Sequence, residues 1–337
     1  MAPSPSFCVV TGGVIGQLLS TGHDAVVEVV REAYLLHGGG HTINPDSYFL
    51  RFEDKPEARI IALPAALKGR SPVAGLKWIA SYPSNVRANL QRASATLMLN
   101  DYTTGYPIAC LEASQISAAR TAASAVLAAE ALGGERRAAR LAIIGAGVIA
   151  RTIFEYFRAR NWSIEVLRVY ALDHDDASRL AQLASSACGS VAVVSSADEA
   201  VRGASHVVLA TTAAVPYLHD ESLLHPGQIV LNVSLRDLSP QLLLSATNVF
   251  DDVEHCMKAS TSAHLAEQLT KGREFVAGTL ADVLSGNLAV DASKPIIFSP
   301  FGLGVLDVAL GQHLLQLARA RRLTRPIDDF FPNTARW

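Results

Sequence analysis

The chain has 337 residues, half of them hydrophobic, and a formal net charge of −2 at pH 7. This length predicts two domains with sizeable cores. Because the basic residues are dispersed and balanced by acids, the charge pattern argues against nucleic acid or an anionic membrane as a partner. Cys8, Cys110, Cys188 and Cys256 have neither CxxC nor metal-ligand spacing. With no signal-like start and no membrane-length apolar run, we expect a cytoplasmic protein with reduced thiols and no bound metal.

The first 140 residues predict a mixed α+β unit. A helix is expected over residues 25–36, where apolar residues recur at helical spacing and three glycines follow. Strand patterns cover residues 47–52, 59–64, 74–80, 95–100 and 108–112. The last two flank a turn and predict a hairpin, and an alanine-rich helix is expected over residues 117–132.

The strongest motif of the chain begins at residue 141. An apolar strand leads into Gly145-x-Gly147-x-x-Ala150, and the next apolar strand, residues 166–172, is followed by Asp173. The first glycine permits a tight turn, the second admits a pyrophosphate, and the small third residue allows close packing of helix and strand. An acid after the second strand binds the adenosine ribose and favours NAD over NADP. The motif therefore predicts NAD as cofactor.

The residues after Asp173 alternate between helix and strand patterns. Helices are expected over residues 177–186 and 198–201, and strands over residues 191–194, 206–211, 228–233 and 247–250. This alternation predicts a Rossmann-type, doubly wound parallel α/β sheet. A last helix, residues 306–322, is expected to return to the first domain. The predicted domains are therefore residues 1–125 with 305–337, and residues 126–304.

Three cations lie among apolar neighbours in the first domain: Arg51, Lys77 and Arg120. A buried cation requires an anion, because leaving the charge unpaired costs several kcal/mol. Each of them pairs with a protein carboxylate, binds a ligand carboxylate, or extends its charged end into solvent.

Polar residues also follow two predicted strands of the second domain. Asp237 comes after the strand over residues 228–233, and Thr211 and Thr212 end the strand over residues 206–211. Open parallel sheets bind their ligands at this edge. Asp237 is there either a proton carrier or a turn cap. The threonine hydroxyls either contact the nicotinamide side of a cofactor or cap the following turn.

Collinear motifs along nearly the whole chain resemble the ornithine cyclodeaminase/mu-crystallin family. They are the Arg51 strand, Gly75-Leu-Lys77, residues 100–107, the run around Arg120, the Gly145 turn, Asn232-x-x-x-x-Asp237 and residues 301–304. The resemblance implies a homodimer joined through the sheet of the first domain, which would also bind the substrate. It implies further that Arg51, Lys77 and Arg120 hold an amino acid α-carboxylate and that Asp237 handles protons.

Within the family, residues 44–52, 77–85 and 299–304 look most like the branch that makes 2,3-diaminopropionate, a precursor for siderophores or antibiotics. Residues 59–64 lack the glutamate usual in cyclodeaminases, and residues 235–241 depart from their loop. The resemblance thus implies oxidation of N-(1-amino-1-carboxy-2-ethyl)glutamate with NAD, giving 2,3-diaminopropionate and 2-oxoglutarate. A site rich in cations suits the three carboxylates of this substrate.

In this hypothesis hydride leaves the glutamyl α-carbon for NAD, and water hydrolyses the resulting imine. Lys77 and Asp237 are the candidate catalytic residues, and Asn85, Arg92 and Ser94 are the candidates for binding the remaining carboxylates. The expected contacts to NAD are Gly145, Ala146, Gly147, Val148, Ile149, Asp173, Thr211, Thr212, Ser234 and Gly302. The alternatives are an ornithine cyclodeaminase, another amino or imino acid dehydrogenase or ketimine reductase, and a non-catalytic dinucleotide-dependent binding protein.

Overall fold

The computed structural model describes residues 6–332 of the chain. Of these, residues 6–120 and 303–332 belong to one compact unit, unit 1, and residues 121–302 to a second, unit 2. The sequence predicts the domain boundaries after residues 125 and 304. In the structure they come after residues 120 and 302.

The strands and helices are numbered separately in chain order. The strands are β1 (Phe7–Val10), β2 (Thr42–Ile43), β3 (Tyr48–Phe52), β4 (Lys55–Leu67), β5 (Val73–Ser81), β6 (Ala93–Asp101), β7 (Pro107–Glu112), β8 (Arg137–Ile144), β9 (Ser163–Tyr170), β10 (Cys188–Val193), β11 (His206–Leu209), β12 (Ile229–Asn232), β13 (Thr247–Phe250), β14 (Val276–Thr279), β15 (Ile296–Ser299) and β16 (Arg325–Ile327). The helices are α1 (Gly12–Leu19), α2 (His23–Gly38), α3 (Ser114–Gly133), α4 (Val148–Ala159), α5 (His174–Ala184), α6 (Ala197–Val201), α7 (Pro240–Leu244), α8 (Val253–Cys256), α9 (Ser262–Thr270), α10 (Leu280–Leu284) and α11 (Gly304–Ala320). Over residues 6–332, none of these helices combines the length and the apolar character needed to cross a bilayer.

Unit 1 is built on one sheet with strand order β16-β1-β7-β6-β5-β4-β2, and β3 pairs with β4. Pairing is antiparallel except between β1 and β7. One face of the sheet is covered by α11, which contacts β4, β5 and β6. Helix α11 also packs against α2. Because α11 is buried along residues 304–311, its sequence is apolar nearly all round rather than on one stripe.

Unit 2 contains a parallel sheet with strand order β10-β9-β8-β11-β12-β15-β13-β14. Chain order runs outward from β8 through β9 to β10 on one side and from β11 to β12 on the other, beyond which β15 lies before β13 and β14. The sheet therefore reverses its winding between β8 and β11. Ligands of such sheets bind at the carboxyl ends of the strands at this reversal. The prediction of a Rossmann-type, doubly wound α/β fold beside an α+β unit is confirmed.

One difference from the predicted elements is β15. This four-residue strand was not predicted, yet it lies between β12 and β13 in the sheet and is fully buried. Three apolar residues and a serine are too few to show a helix or strand period, so the neighbouring strands determine its conformation. The strand predicted over residues 206–211 ends at Leu209, which leaves Thr211 and Thr212 in the following loop.

Candidate active site

The turn after β8 requires a glycine at position 145. Gly145 has φ +95°, and a Cβ atom on it would lie 2.4 Å from the carbonyl oxygen of Ala210. Ala210 follows β11, and its amide donates to the carbonyl of Ile144. The segments that leave β8 and β11 therefore approach too closely for any side chain at residue 145.

Helix α4 begins directly after this turn with an open amino end. Gly147 is its N-cap and supplies no side-chain hydrogen bond, so the first backbone N–H groups are left for another acceptor. A Cβ atom on Gly147 would have no neighbour within 4 Å, whereas Ala150 is fully buried against the sheet. An open N-terminus next to open space fits a pyrophosphate, because its amides and dipole attract an anion.

Asp173 lies at the carboxyl end of β9, on the same edge of the sheet. Its Oδ1 atom accepts the backbone N–H groups of Asp175 at 2.9 Å and Asp176 at 3.0 Å, so it is the N-cap of α5. Within residues 6–332 no hydrogen bond or salt bridge is made by its Oδ2 atom, and Arg179 is close enough to interact with the carboxylate electrostatically. Asp173 is also exposed, so this second oxygen is available to ribose hydroxyls.

Asp237 is completely buried, with 0% of its surface exposed. The Thr211 hydroxyl donates to its Oδ1 atom at 2.7 Å, and the Tyr217 hydroxyl donates to its Oδ2 atom at 3.0 Å. Burial raises the pKa of Asp237 above its ordinary value, and the hydroxyl donors oppose the rise because they stabilise the carboxylate. A buried carboxylate with a raised pKa is suited to exchange protons near neutral pH.

The structure brings Thr211 to Asp237, whereas Thr212 is exposed in the next position. Tyr217 was missed at the sequence level. Its only signal was an aromatic hydroxyl on the loop after β11, and nothing local showed that this loop returns to Asp237 through the Leu218–Leu238 bridge.

Ser234 and Gly302 lie after β12 and β15. Ser234 is buried and lines a cavity of about 10 Å³ with Asn232 and Ser299, room for roughly one water molecule. Gly302 has φ +99°, and its amide donates at 2.7 Å to Asp251, a buried acid that directly follows β13. The Phe301 amide donates to the same carboxylate at 2.9 Å. Asp251 thereby fixes the turn after β15.

Asp251 was not singled out from the sequence, although an acid directly after a strand was the signal that identified Asp173. Burial raises its pKa above the ordinary value, and the two amide donors oppose that rise. Across residues 6–332 no three His, Cys, Asp or Glu side chains are grouped so as to hold a metal ion.

In unit 1, Lys77, Arg120 and Asp307 form a buried ionic cluster. The Lys77 Nζ atom lies 2.6 Å from Oδ2 of Asp307, and the Arg120 Nε atom lies 3.3 Å from its Oδ1. Lys77 comes from β5, Arg120 from α3 and Asp307 from α11. Lys77 is 1% exposed and Asp307 0%. The structure thus supplies the protein carboxylate that these two cations require.

This cluster holds one more positive charge than negative, because two cations share one carboxylate. The pKa of Lys77 is lowered to about 8, chiefly by burial; Asp307 opposes this shift and the neighbouring Arg120 adds to it. Asp307 was missed at the sequence level. The sequence shows Asp307 only as a single acid within an apolar stretch. That pattern predicts a helix but does not indicate an ionic partner for Lys77 or Arg120.

Arg51, the third predicted cation, lies apart from the buried ionic cluster. It is exposed on β3, with its guanidinium carbon 5.2 Å from the ring centre of Phe49. Across the strand pair it faces Arg59, so like charges oppose one another there.

The residues predicted to bind the remaining carboxylates lie near the carboxyl end of β5, where Ser81 pairs with Arg59. Asn85 is in a 3₁₀ turn over Pro83–Ala88, and its side chain donates to the Gln91 carbonyl at 3.2 Å. Arg92 is half-buried, and burial lowers its pKa. Ser94 pairs with Ala80, which places it on the face of the sheet opposite to Lys77.

Sequence and structure comparisons relate the chain to known proteins. The profile described as "Ornithine cyclodeaminase/mu-crystallin family" matches residues 16–320. N-((2S)-2-amino-2-carboxyethyl)-L-glutamate dehydrogenase of Staphylococcus aureus is 28% identical over 309 residues, which are 88% of this chain and 91% of that protein. The structure of Thermococcus litoralis Δ1-pyrroline-2-carboxylate reductase in complex with NADH and L-proline aligns with a TM-score of 0.87 at 23% identity, covering 95% of this chain and all of that one. An archaeal alanine dehydrogenase dimer with bound NAD aligns with a TM-score of 0.85 at 25% identity, covering 96% and 100%. The chain belongs to the ornithine cyclodeaminase/mu-crystallin family.

Proposed function

We propose that the protein is an NAD-dependent dehydrogenase that oxidises N-(1-amino-1-carboxy-2-ethyl)glutamate to 2,3-diaminopropionate and 2-oxoglutarate. The observation that carries the proposal is the excess positive charge of the cluster of Lys77, Arg120 and Asp307. A buried excess charge is costly unless an anion completes the cluster. Similarity to the Staphylococcus aureus dehydrogenase supports this choice of substrate.

The residues of unit 2 fit NAD. The Gly145 turn and the amino end of α4 would hold the pyrophosphate, and the available oxygen of Asp173 would accept the ribose hydroxyls. Asp175 and Asp176 add negative charge at this corner, and Arg179 is already paired with Asp176 at 2.6 Å. A 2′-phosphate would meet like charges, so NAD is preferred over NADP. The chemistry that NAD supplies when bound is acceptance of a hydride.

Each of the charged residues described above has a proposed role. Lys77 and Arg120 bind the glutamyl α-carboxylate by charge-assisted hydrogen bonds, which are strong because both side chains are shielded from water. Asp237 takes the proton of the secondary amine as the carbon–nitrogen bond is oxidised. The protonated Asp237 then gives its proton to the imine nitrogen and, as a carboxylate again, takes a proton from the water that adds to the imine carbon. Collapse of that adduct releases 2,3-diaminopropionate and 2-oxoglutarate.

The remaining carboxylates of the substrate require further cations and amides. Arg51 is kept as a candidate for the α-carboxylate on the family resemblance alone, because it lies apart from Lys77 and Arg120. Asn85 and Arg92 are assigned to the distal carboxylates. Arg92 supports this assignment best, because a half-buried guanidinium gains most from an anionic ligand. Ser94 belongs to the same proposal, although its position on the opposite sheet face gives it the least support.

We also propose a homodimer formed through the face of the unit 1 sheet that α11 leaves uncovered. Trp78 lies on this uncovered face and is 41% exposed. Its neighbour in β5, Lys77, points to the opposite face, which α11 covers. Tyr48 is in register with Ala62, which pairs with Trp78, and Tyr48 is 68% exposed. Leu50, next on the same face of β3, is also exposed. An exposed apolar surface of this kind marks a protein interface, and the archaeal alanine dehydrogenase is described as a dimer.

The proposed function is tested by mixing the protein with NAD and a panel of amines and following the absorbance of NADH. The panel contains the glutamate conjugate, alanine, arginine, proline and ornithine. We expect the conjugate to give the highest kcat/KM, because only it supplies three carboxylates to the cationic site. A higher value for a monocarboxylate substrate would refute the substrate while leaving the dehydrogenase class intact.

A further inference from the structure

Asp237 has no direct access to a substrate proton in the structure. Its side chain is 0% exposed, and each carboxylate oxygen already accepts a hydrogen bond from a hydroxyl group. Ser234 is a third hydroxyl group next to this carboxylate, but it is itself buried, so a proton that reaches the carboxylate from a ligand is expected to pass through Thr211 or Tyr217.

The two hydroxyl groups differ in their second hydrogen bond. The Thr211 oxygen donates to Asp237 and accepts the backbone N–H of Ala213 at 3.2 Å, so it is engaged on both sides within its own loop. The Tyr217 hydroxyl donates to Oδ2 of Asp237, and a phenolic oxygen retains lone pairs that accept a proton. The Tyr217 side chain is half-buried, whereas Asp237 is enclosed. Tyr217 is therefore better placed than Thr211 to pass a proton to Asp237.

Backbone hydrogen bonds fix Tyr217 against Asp237 independently of the two side chains. The amides of Tyr217 and Leu218 both donate to the Asp237 carbonyl, at 3.2 and 3.1 Å. The Ser239 amide donates back to the Leu218 carbonyl at 2.9 Å. The two segments therefore form a short ladder that holds the phenol in place before a ligand binds, as an efficient proton-transfer site requires.

We propose that Tyr217 relays protons between the bound substrate and Asp237, an inference that rests on the proposed function. As the substrate N–H bond breaks, an O–H bond forms at Tyr217, and the original Tyr217 O–H bond breaks as one forms at Oδ2 of Asp237. One proton thereby moves from nitrogen to the carboxylate, and the nitrogen keeps the electron pair. In the hydrolytic step the proton held by Asp237 returns through Tyr217 to the imine nitrogen, and the carboxylate so regenerated takes a proton by the same path from the water that attacks the imine carbon. Tyr217 is neutral before and after each transfer.

The electrostatic surroundings of Tyr217 suit a relay that never ionises. Burial raises the pKa of the phenol, and the adjacent Asp237 carboxylate raises it further. A free tyrosinate is therefore not formed at neutral pH, and proton gain and loss must be concerted. Concerted transfer of two protons has a measurable signature in the dependence of rate on the deuterium content of the solvent.

The test compares Tyr217→Phe, which removes only the hydroxyl, with the wild-type enzyme on the glutamate conjugate. We expect kcat to fall at least about tenfold, with KM and NAD affinity nearly unchanged, and the two-proton solvent isotope dependence to become a one-proton dependence. In the double variant Tyr217→Phe/Asp237→Asn, kcat should be no lower than in Asp237→Asn alone, because both residues act in one transfer. Tyr156→Phe is the matched control for loss of a buried phenol hydroxyl in unit 2.

The possible outcomes are distinguishable. The relay would be overturned if the wild type is active and the kcat of Tyr217→Phe lies within about twofold of the wild-type value, with the same isotope dependence. A wild type that oxidises no amine with NAD would overturn the proposed function and the relay together. If Tyr217→Phe fails to fold, 3,5-difluorotyrosine at position 217 keeps the hydroxyl but lowers its pKa. The relay predicts that kcat then changes, because the proton affinity of the oxygen that passes the proton has changed, while the two-proton isotope dependence is retained; an unchanged kcat contradicts it.

Discussion

The Nζ atom of Lys77 lies 2.6 Å from the Oδ2 atom of Asp307, 230 residues away in the chain, and both side chains are almost fully buried. Arg120 contacts the other oxygen of the same carboxylate. Asp307 therefore neutralises part of the charge that the fold encloses, and the remainder is available to an anionic ligand.

Replacing Asp307 by Asn should destabilise the protein strongly. The substitution leaves Lys77 and Arg120 without their buried anion, and removing one partner of a buried ion pair costs about 3–5 kcal/mol. Denaturant-induced unfolding of wild type and variant measures the loss. The control is Asp54→Asn, which removes the exposed partner of Lys55 and should cost less than about 1 kcal/mol. Equal stability of Asp307→Asn and wild type would refute the structural importance of the cluster.

The affinity for a carboxylate substrate should fall as pH rises through about 8, the pKa to which burial lowers Lys77. Below this pH Lys77 is charged and binds the carboxylate, whereas above it the amine is neutral and the attraction is lost. The measurement is kcat/KM against pH for wild type and Lys77→Met. The variant should have a lower kcat/KM and lack the decline near pH 8. A decline that survives in Lys77→Met would have to come from another group.

Asp173→Ser should relax the preference for NAD over NADP without disturbing α5. Serine also caps helices, so the bonds to the amides of Asp175 and Asp176 can be kept while the negative charge is removed. We expect the NAD to NADP ratio of kcat/KM to fall roughly tenfold. Asp220→Ser is the matched control, because Asp220 caps the 3₁₀ turn Glu221–Leu223 in the same way. A wild-type preference for NADP, or an unchanged ratio in Asp173→Ser, would assign ribose recognition to another residue.

Asp237→Asn should retain the fold and the affinity for NAD but slow turnover by about a hundredfold to ten-thousandfold. The amide keeps the shape of the carboxylate, and its oxygen accepts one of the two hydroxyl hydrogen bonds, but it cannot take a proton at neutral pH. Steady-state kinetics give kcat, and NAD titration gives the affinity. Near-normal turnover of the variant would reduce Asp237 to a structural residue that fixes the loop of Thr211 and Tyr217.

The sequence was informative where function depends on neighbours along the chain. The Gly145 turn, α4 and the acid after β9 form one continuous segment, so their chemistry could be recognised from spacing alone. Only the two cations of the buried ionic cluster could be predicted from the sequence. Lys77 and Arg120 stand out as cations among apolar residues, but their partner lies on the last helix, and only the packing of α11 on the unit 1 sheet identifies it.

The same limit applies in unit 2. Asp237 was recognisable as an acid after a strand. Tyr217 could not be recognised in this way, because it reaches Asp237 only through backbone hydrogen bonds between segments about 20 residues apart in the chain. Strand β15 shows the corresponding limit for the fold, since four residues carry no period and their place in the sheet is determined by the strands on either side.

The most direct test of the central claim is identification of the products from N-(1-amino-1-carboxy-2-ethyl)glutamate and NAD by mass spectrometry, with NADH followed in the same sample. A dehydrogenase of the proposed kind yields NADH, 2-oxoglutarate and 2,3-diaminopropionate in equal amounts. A cyclodeaminase returns the hydride to its cyclic imine and converts ornithine to proline and ammonia with no net NADH. Proline from ornithine, with no NADH from the glutamate conjugate, would contradict the proposed function.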